Sequence, residues 1–232
     1  MTFKAPVKSG VKRELIPEDS YHAICYALFD LGTHENEFQG KVWDQRKVVL
    51  IWEIPSLRIK YEKDGEELEG PKVISKQYTW SMHEKANLRK DMETWRGKSF
   101  TDLEAADFDF EQIPGANGII QVMHKEKKNG DKYAFIGSIT KLMKGMDKLE
   151  PENPKSFFSF YAPYVDEVGF HFPESMPEWV KDTIKESREY SAIIDVASDF
   201  AEMQADEGTG TEEQQAQEEQ AMQEQNELDV PF

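Results

Sequence analysis

Aromatic residues stand next to lysines and arginines at several places in the first 140 residues. An aromatic ring can stack on an exposed base, and a neighbouring ammonium or guanidinium group can neutralise phosphate, so this combination is typical of proteins that bind single-stranded nucleic acid. Stacking contributes about 1–3 kcal/mol per base and depends little on which base is present. The predicted DNA-binding residues are Tyr26, Trp43, Arg46, Lys76, Tyr78, Trp80, Lys125, Lys127, Lys128, Lys132, Tyr133 and Phe135.

For any single one of these aromatic residues, burial in the core is expected more often than base contact, because about half of the strand residues of a barrel point inward. Trp52, inside an apolar run, is predicted to be core. Trp43, between Lys41 and Arg46 in a predicted loop, is the better candidate for base contact. The arginines and lysines of residues 89–98 follow a predicted helix and are expected to form ion pairs with its acidic residues.

The segment from about residue 204 onward consists mainly of Gln, Glu, Gly and Thr, a composition that predicts disorder. It ends in an apolar tip, for which we expect Phe232 to fill a pocket on a partner while Asp229 meets basic residues there. The acidic stretch is also expected to compete with nucleic acid for a basic groove. A solubilising tail would explain the acids but not the tip. The predicted partner-binding residues are Asp229, Val230, Pro231 and Phe232.

The formal net charge of −17 disfavours a nucleic-acid partner only until its distribution is considered. Arg188 is the last basic residue, and 13 of the 45 acidic residues lie beyond it, which leaves 32 acidic against 28 basic residues before it. An acidic DNA mimic that inhibits a host factor is therefore an alternative, although such a mimic needs its charge on the folded part.

Asp107, Asp109 and Glu111 lie at alternate positions and would present three carboxylates to Mg²⁺ if the chain were extended, which is the basis of a second alternative, a metal-dependent nuclease. A polar loop is the preferred interpretation. The five histidines are scattered, and no glycine-rich phosphate loop or nucleophile elbow occurs, so we expect no metal, no cofactor and no catalytic residue.

Periodicity predicts strands over residues 21–31, 47–54 with an extension over 58–61, 76–82, 118–127 and 132–140, with turn residues Gly32, Asn36 and Gly40 between the first two. A helix is predicted over 83–95, and Thr101 with Glu104 forms the pattern of a capping box. Asn129-Gly130 predicts a tight hairpin. Three strands, a helix and a two-stranded hairpin follow the order of an OB-fold, a five-stranded Greek-key barrel.

The predicted organisation is therefore mainly β. Residues 1–150 form an OB-fold-like core, residues 151–203 an aromatic and helical extension packed on it, and residues 204–232 the disordered acidic tail. A further helix is predicted over 192–203. No apolar run is long enough to span a membrane and no signal peptide is present, so we expect a cytoplasmic protein without a membrane partner. The single cysteine, Cys25, is expected to be buried and inert.

Residues 73–97, VISKQYTWSMHEKANLRKDMETWRG, together with the later MPEWVKDTIKES, resemble a family of phage replication-module proteins described as OB-fold single-stranded DNA-binding proteins. The ending ELDVPF resembles the acidic, Pro-Phe-terminated tip of bacterial single-stranded DNA-binding proteins, with Val230 where the familiar tip has isoleucine. The resemblance implies protection of single-stranded DNA during phage replication, recombination and repair in the host cytoplasm. It also implies that the tip recruits replication proteins such as a polymerase, helicase or primase.

Overall fold

The computed structural model describes residues 14–63, 65–160, 165–166 and 169–195. The predicted acidic tail, its tip and most of the helix predicted over 192–203 lie outside the described residues. The strands are β1 (Asp19–Phe38), β2 (Lys41–Lys63), β3 (Glu66–Thr79), β4 (Ala116–Glu126), β5 (Lys132–Thr140), β6 (Ser156–Phe158), β7 (Val165–Asp166) and β8 (Gly169–Phe170). The helices are α1 (Asn87–Arg96), α2 (Asp102–Ala106) and α3 (Glu178–Lys185), with a 3₁₀ turn at Phe110–Gln112, and residues 188–195 are also helical.

Five antiparallel strands form a curled half-barrel in the order β3-β2-β1-β4-β5. Its two edge strands, β3 and β5, approach each other, and α1 contacts both of them. This arrangement confirms the predicted mainly β, OB-like fold with helices.

Two cores lie on opposite faces of β1 and β2. Val48, Leu50 and Trp52 point into the barrel, where Trp52 packs on Trp95 of α1 with ring centroids 4.5 Å apart. The alternate residues Val49 and Ile51 point outward and are buried beneath β6 and α3. Both faces of this part of β2 are therefore buried, which explains why its sequence is continuously apolar rather than alternating.

Between the first two strands, the predicted turn residue Gly40 is confirmed, but Gly32 and Asn36 do not form a turn. β1 and β2 instead continue past the barrel as a two-stranded ribbon that turns at Gln39 and Gly40, both with positive φ. We call residues 33–46 of this ribbon the first arm. Trp43 consequently lies in β2 and not in a loop. The prediction missed this part of the strand because its residues are mostly polar and lack the apolar periodicity of a strand that packs on a core.

β3 begins at Glu66, directly after Gly65, whose φ is 83°, and ends at Thr79. It therefore starts ten residues before the prediction and stops three residues before its predicted end. Helix α1 begins at Asn87 rather than at residue 83. The capping box is confirmed: Thr101 Oγ1 accepts from the backbone N–H of Glu104 at 3.1 Å, and the Glu104 carboxylate accepts from that of Thr101 at 2.9 Å.

Candidate nucleic-acid interface

The β4–β5 hairpin presents two rings beneath ammonium groups, of which Tyr133 is exposed and Phe135 is half-buried. The Nζ atom of Lys125 lies 4.9 Å from the centre of the Phe135 ring, and that of Lys127 lies 5.9 Å from the centre of the Tyr133 ring. The predicted turn is present, with Gly130 at φ 85°. We call these four side chains, with Met123 and the exposed lysines of the turn, Lys128 and Lys132, the hairpin patch.

A β-bulge at Gly137 decides which way these rings point. Gln121 pairs with Ser138 while Val122 pairs with Ile136, so Gly137 is the extra residue on β5. The bulge inverts the alternation of inward-facing and outward-facing side chains along β5. As a result Ile136 and Ile139, three positions apart, are both buried. Tyr133 and Phe135 therefore do not share a face with Ile139, and both rings lie on the outer side, opposite Lys125 and Met123.

A cleft of about 900 Å³ lies between the end of β3, the start of α1 and β5. Its walls carry lysines from three different elements, and Gly137 joins it to the hairpin patch. None of Lys47, Lys85 and Lys90 has a carboxylate of the described residues within 4.0 Å of its ammonium group. The cleft is consequently a concave surface with uncompensated positive charge. The lining residues that matter here are Gln45, Lys47, Lys76, Lys85, Lys90 and Gly137.

Lys76 differs from the other lysines of the cleft because its charge is compensated. Its Nζ atom lies 2.6 Å from Oδ2 of Asp91, which also accepts a hydrogen bond of 2.8 Å from the hydroxyl of Tyr78. This carboxylate thus fastens β3 to α1. Burial, followed by the charge of Asp91 and the hydrogen bond to it, raises the pKa of Tyr78.

Two of the predicted stacking residues are buried and have no ring face open to a base. Tyr78 is 5% exposed, and Tyr26 is 7% exposed in the outer core between the sheet and the C-terminal extension. Burial, and secondarily the charge of Glu53, raises the pKa of Tyr26 to about 12. Both residues are therefore structural, because their strands turn them towards the two cores.

Arg46 is half-buried and is held by a buried carboxylate. Its guanidinium forms a two-pronged ion pair with Asp30, whose side chain is fully buried. The same carboxylate accepts a 3.0 Å hydrogen bond from the backbone N–H of Gly32. Trp80, just beyond β3, is half-buried and packs on Phe110 with ring centroids 5.1 Å apart. Both side chains thus have structural contacts within the protein.

The first arm carries a second exposed aromatic group. Cross-strand pairing places Asn36 opposite Trp43 and Phe38 opposite Lys41, so these four side chains share one face. Phe38 is 64% exposed and Trp43 is 44% exposed. Gln45 continues this face into the cleft, where its Nε2 donates to Thr79 Oγ1 at 2.8 Å.

The structure thus joins Trp43, the hairpin patch and the cleft lysines in one surface, which we call the arm–cleft–hairpin surface. Sequence reasoning missed Phe38, Lys47 and Lys85, and it assigned Lys90 to an ion pair that does not occur among the described residues. The missing signal is tertiary, because Lys47 on β2, Lys85 just before α1 and Lys90 on α1 are distant in the chain and come together only where they line the cleft.

Two of the three carboxylates on which the nuclease alternative rests, Asp107 and Asp109, lie at the ends of helical segments. Asp109 caps the 3₁₀ turn by accepting a hydrogen bond of 2.8 Å from the backbone N–H of Glu111, and Asp107 ends α2. Among the described residues, no three histidine, cysteine, aspartate or glutamate side chains are grouped so as to hold a metal ion.

The chain matches no protein-family model, and no curated protein matches it. In the part of the chain that the structure describes, no helix has the length and the apolar character needed to cross a membrane.

Proposed function

We propose that the protein binds single-stranded DNA without sequence preference along the arm–cleft–hairpin surface. The observation that carries this proposal is the coincidence, on one surface, of exposed aromatic rings and lysines that lack a carboxylate partner. In this proposal the protein acts by binding and uses no catalytic residue and no cofactor.

The distribution of ion pairs supports this choice of surface. Basic side chains elsewhere in the described part of the chain are mostly compensated by nearby acids, whereas those of the arm, cleft and hairpin, apart from Lys76 and Arg46, are not. Partnerless lysines also occur after β5, at Lys141, Lys144 and Lys148. The compensated pairs include Arg58 with Glu69 and Glu152, Lys60 with Glu67, Lys72 with Glu14, Arg89 with Glu93, Lys98 with Glu104, Lys155 with Glu150 and Arg188 with Asp44.

The form of the surface favours a single strand over a duplex. Trp43 lies on the first arm, apart from the neighbouring rings of Tyr133 and Phe135, whose centroids are 6.2 Å apart. These rings need unstacked bases to contact, which a duplex does not offer. Stacking on a ring face is tolerant of sequence, since every base has such a face. The lysines of the cleft and hairpin neutralise the phosphates between stacked bases, so the affinity depends on salt.

We further propose that the protein protects single-stranded DNA in phage replication, recombination or repair and that residues 229–232 recruit replication proteins. This rests on the sequence resemblance and on the composition of the tail. The described chain supports it in one respect. Arg188 pairs with Asp44, and both carboxylate oxygens of Glu189 accept from Thr33 at 2.6 Å. The acidic segment therefore follows directly after residues that hold the first arm.

Fluorescence anisotropy of labelled oligo-dT and of its duplex form, at two salt concentrations, tests the DNA-binding proposal. We expect salt-sensitive binding to the single strand and much weaker binding to the duplex. The double variant Lys125→Ala/Lys127→Ala should lower the affinity and the salt dependence, whereas Lys144→Ala/Lys148→Ala, which removes two exposed lysines outside the surface, should change both less. Absence of binding by the unmodified chain would refute the proposal.

A further inference from the structure

A second ribbon projects from the barrel beyond the end of the β1–β2 pairing. We call residues 55–71, the β2–β3 hairpin, the second arm. β1 pairs with β2 up to the pair Ile24 and Glu53, so the other edge of β2 has no strand beside it from Pro55 onward in the described part of the chain. An isolated two-stranded ribbon is marginally stable, and an open edge presents unpaired backbone N–H and C=O groups.

The two faces of the second arm differ in character. One face carries Ile59, Tyr61 and Leu68, which are 40%, 46% and 37% exposed, and Tyr61 lies opposite Leu68. The Tyr61 ring also lies over Gly70, since a Cβ atom at Gly70 would be only 3.4 Å from its Cε1 atom. The apolar face is thus ordered by its own contacts and remains open to solvent.

The opposite face is held by ion pairs. Lys60 Nζ lies 2.9 Å from a carboxylate oxygen of Glu67. Arg58 contacts Glu69 at 3.1 Å and Glu152 at 2.5 Å, which ties the base of the arm to the segment after β5. The contacts with its two carboxylates raise the pKa of Arg58, and the contact with Arg58 lowers the pKa of Glu152.

Nucleic acid does not fit the second arm. Its acidic residues outnumber its basic residues, and Glu66 and Glu67 stand next to its turn. A phosphate backbone would be repelled there. An occupant of this edge must supply a β-strand, apolar side chains and charges complementary to alternating Arg58, Lys60 and Glu62.

A second copy of the same strand meets these requirements. We infer that the protein forms a homodimer through the second arm, in which residues 59–63 of β2 pair antiparallel with the same residues of a partner subunit, with the two-fold axis at Tyr61. In this register Lys60 lies opposite Glu62 of the partner subunit, and opposite charges across a strand pair are favourable. An axis one residue earlier would place two Lys60 ammonium groups together. The two apolar faces join, so that each Tyr61 gains a neighbouring tyrosine.

Sedimentation equilibrium of the full chain without DNA tests this inference, over concentrations up to the highest at which the protein stays in solution. We expect the mass to rise with concentration from 26.8 kDa towards twice that value. Lys60→Glu and Glu62→Lys should each give a monomer at every concentration, because each places like charges opposite one another. The double variant Lys60→Glu/Glu62→Lys should recover the dimer, since it restores opposite charges in the same register.

Lys155→Glu is the matched control, because it reverses an exposed lysine that is 2.8 Å from Glu150 and lies outside the second arm. It should leave the dimer intact, and circular dichroism should show that all variants are folded. A monomeric unmodified chain, or a double variant that stays monomeric, would overturn the inference. The mass is measured without DNA, so this result is independent of whether the protein binds a single strand.

Discussion

Each of the two rings of the β4–β5 hairpin has an ammonium group above it, Lys125 at Phe135 and Lys127 at Tyr133. In the proposed mode of binding, the rings and the lysines have different roles, which their salt dependence separates. Stacking on a ring is nearly independent of salt, whereas phosphate neutralisation releases counterions.

Tyr133→Ala and Phe135→Ala should each weaken binding of oligo-dT by about 1–3 kcal/mol, the usual worth of one stacked base. The slope of log affinity against log salt concentration should stay unchanged. Lys125→Ala should instead reduce the magnitude of that slope by about 0.7, the value for one phosphate on a single strand. Anisotropy titrations at several salt concentrations distinguish the two effects, and an equal change of slope in all three variants would contradict the assignment of roles.

Arg46 illustrates a basic residue whose loss should affect folding. Arg46→Ala leaves the buried Asp30 carboxylate without its cation, which typically costs about 3–5 kcal/mol of the free energy of unfolding. Urea denaturation measures this loss, with Lys128→Ala as a control because Lys128 is exposed and has no carboxylate of the described residues nearby. If Arg46→Ala lowered the DNA affinity without changing the stability, Arg46 would be a DNA-binding residue and not a structural one.

The capping box at the start of α2 includes the Glu104 carboxylate, whose charge depends on pH. The backbone N–H of Thr101, and after it Lys98, lower the pKa of Glu104 from 4.5 to about 2. A carboxylate with a lowered pKa in the folded state stabilises the fold above its unfolded pKa, and this contribution is lost as the pH falls through the folded value.

Glu104→Gln should therefore destabilise the protein at pH 7 and do so progressively less between about pH 4.5 and pH 2. Urea denaturation of both forms across this range measures the difference. Glu111→Gln is a suitable control, since Glu111 is exposed and forms no ion pair with the described residues. A difference that is constant with pH would show that the Glu104 charge does not contribute to the cap.

Sequence reasoning was most successful where local chemistry decides the structure. The Asn129-Gly130 turn, the capping box of Thr101 and Glu104, and the order of strands around one helix all follow from short-range patterns. The strand extension over 58–61 is part of β2, but the first arm and the β3 strand of the second arm could not be predicted in the same way. Trp43 and Leu68 lie on ribbons without a buried face, and their strands show no core periodicity. The orientation of Tyr133 and Phe135 depends on one extra residue, Gly137, and a bulge leaves little trace in a single sequence.

At the scale of the whole molecule, the acidic excess and the basic surface belong to different parts of the chain. Residues beyond Arg188 contain only acidic charges, while the arm–cleft–hairpin surface concentrates lysines. A tethered acidic segment is present at a high effective concentration and competes with DNA even when its own affinity is low.

Replacement of the acidic residues between Asp206 and Asp229 by their amides should strengthen binding of oligo-dT, most at low salt, where the competition is strongest. Anisotropy on the full-length variant measures this change. Reversal of Asp229 alone should have a small effect on DNA affinity, because it removes one of many charges. Unchanged affinity after neutralisation of the whole segment would show that the tail does not compete.

β1 contacts parts of the chain that are synthesised much later. It pairs with β2, β4 and β6, and its outer face is covered by Val180 and Ile184 of α3. The contacts with β6 and α3 join residues that are more than 100 positions apart in the chain, and such non-local pairing slows folding. During synthesis the outer side of the first two strands stays uncovered until α3 has left the ribosome. The growing chain thus depends on late residues to protect early ones, and chaperones that shield apolar strands would find their binding sites in this interval.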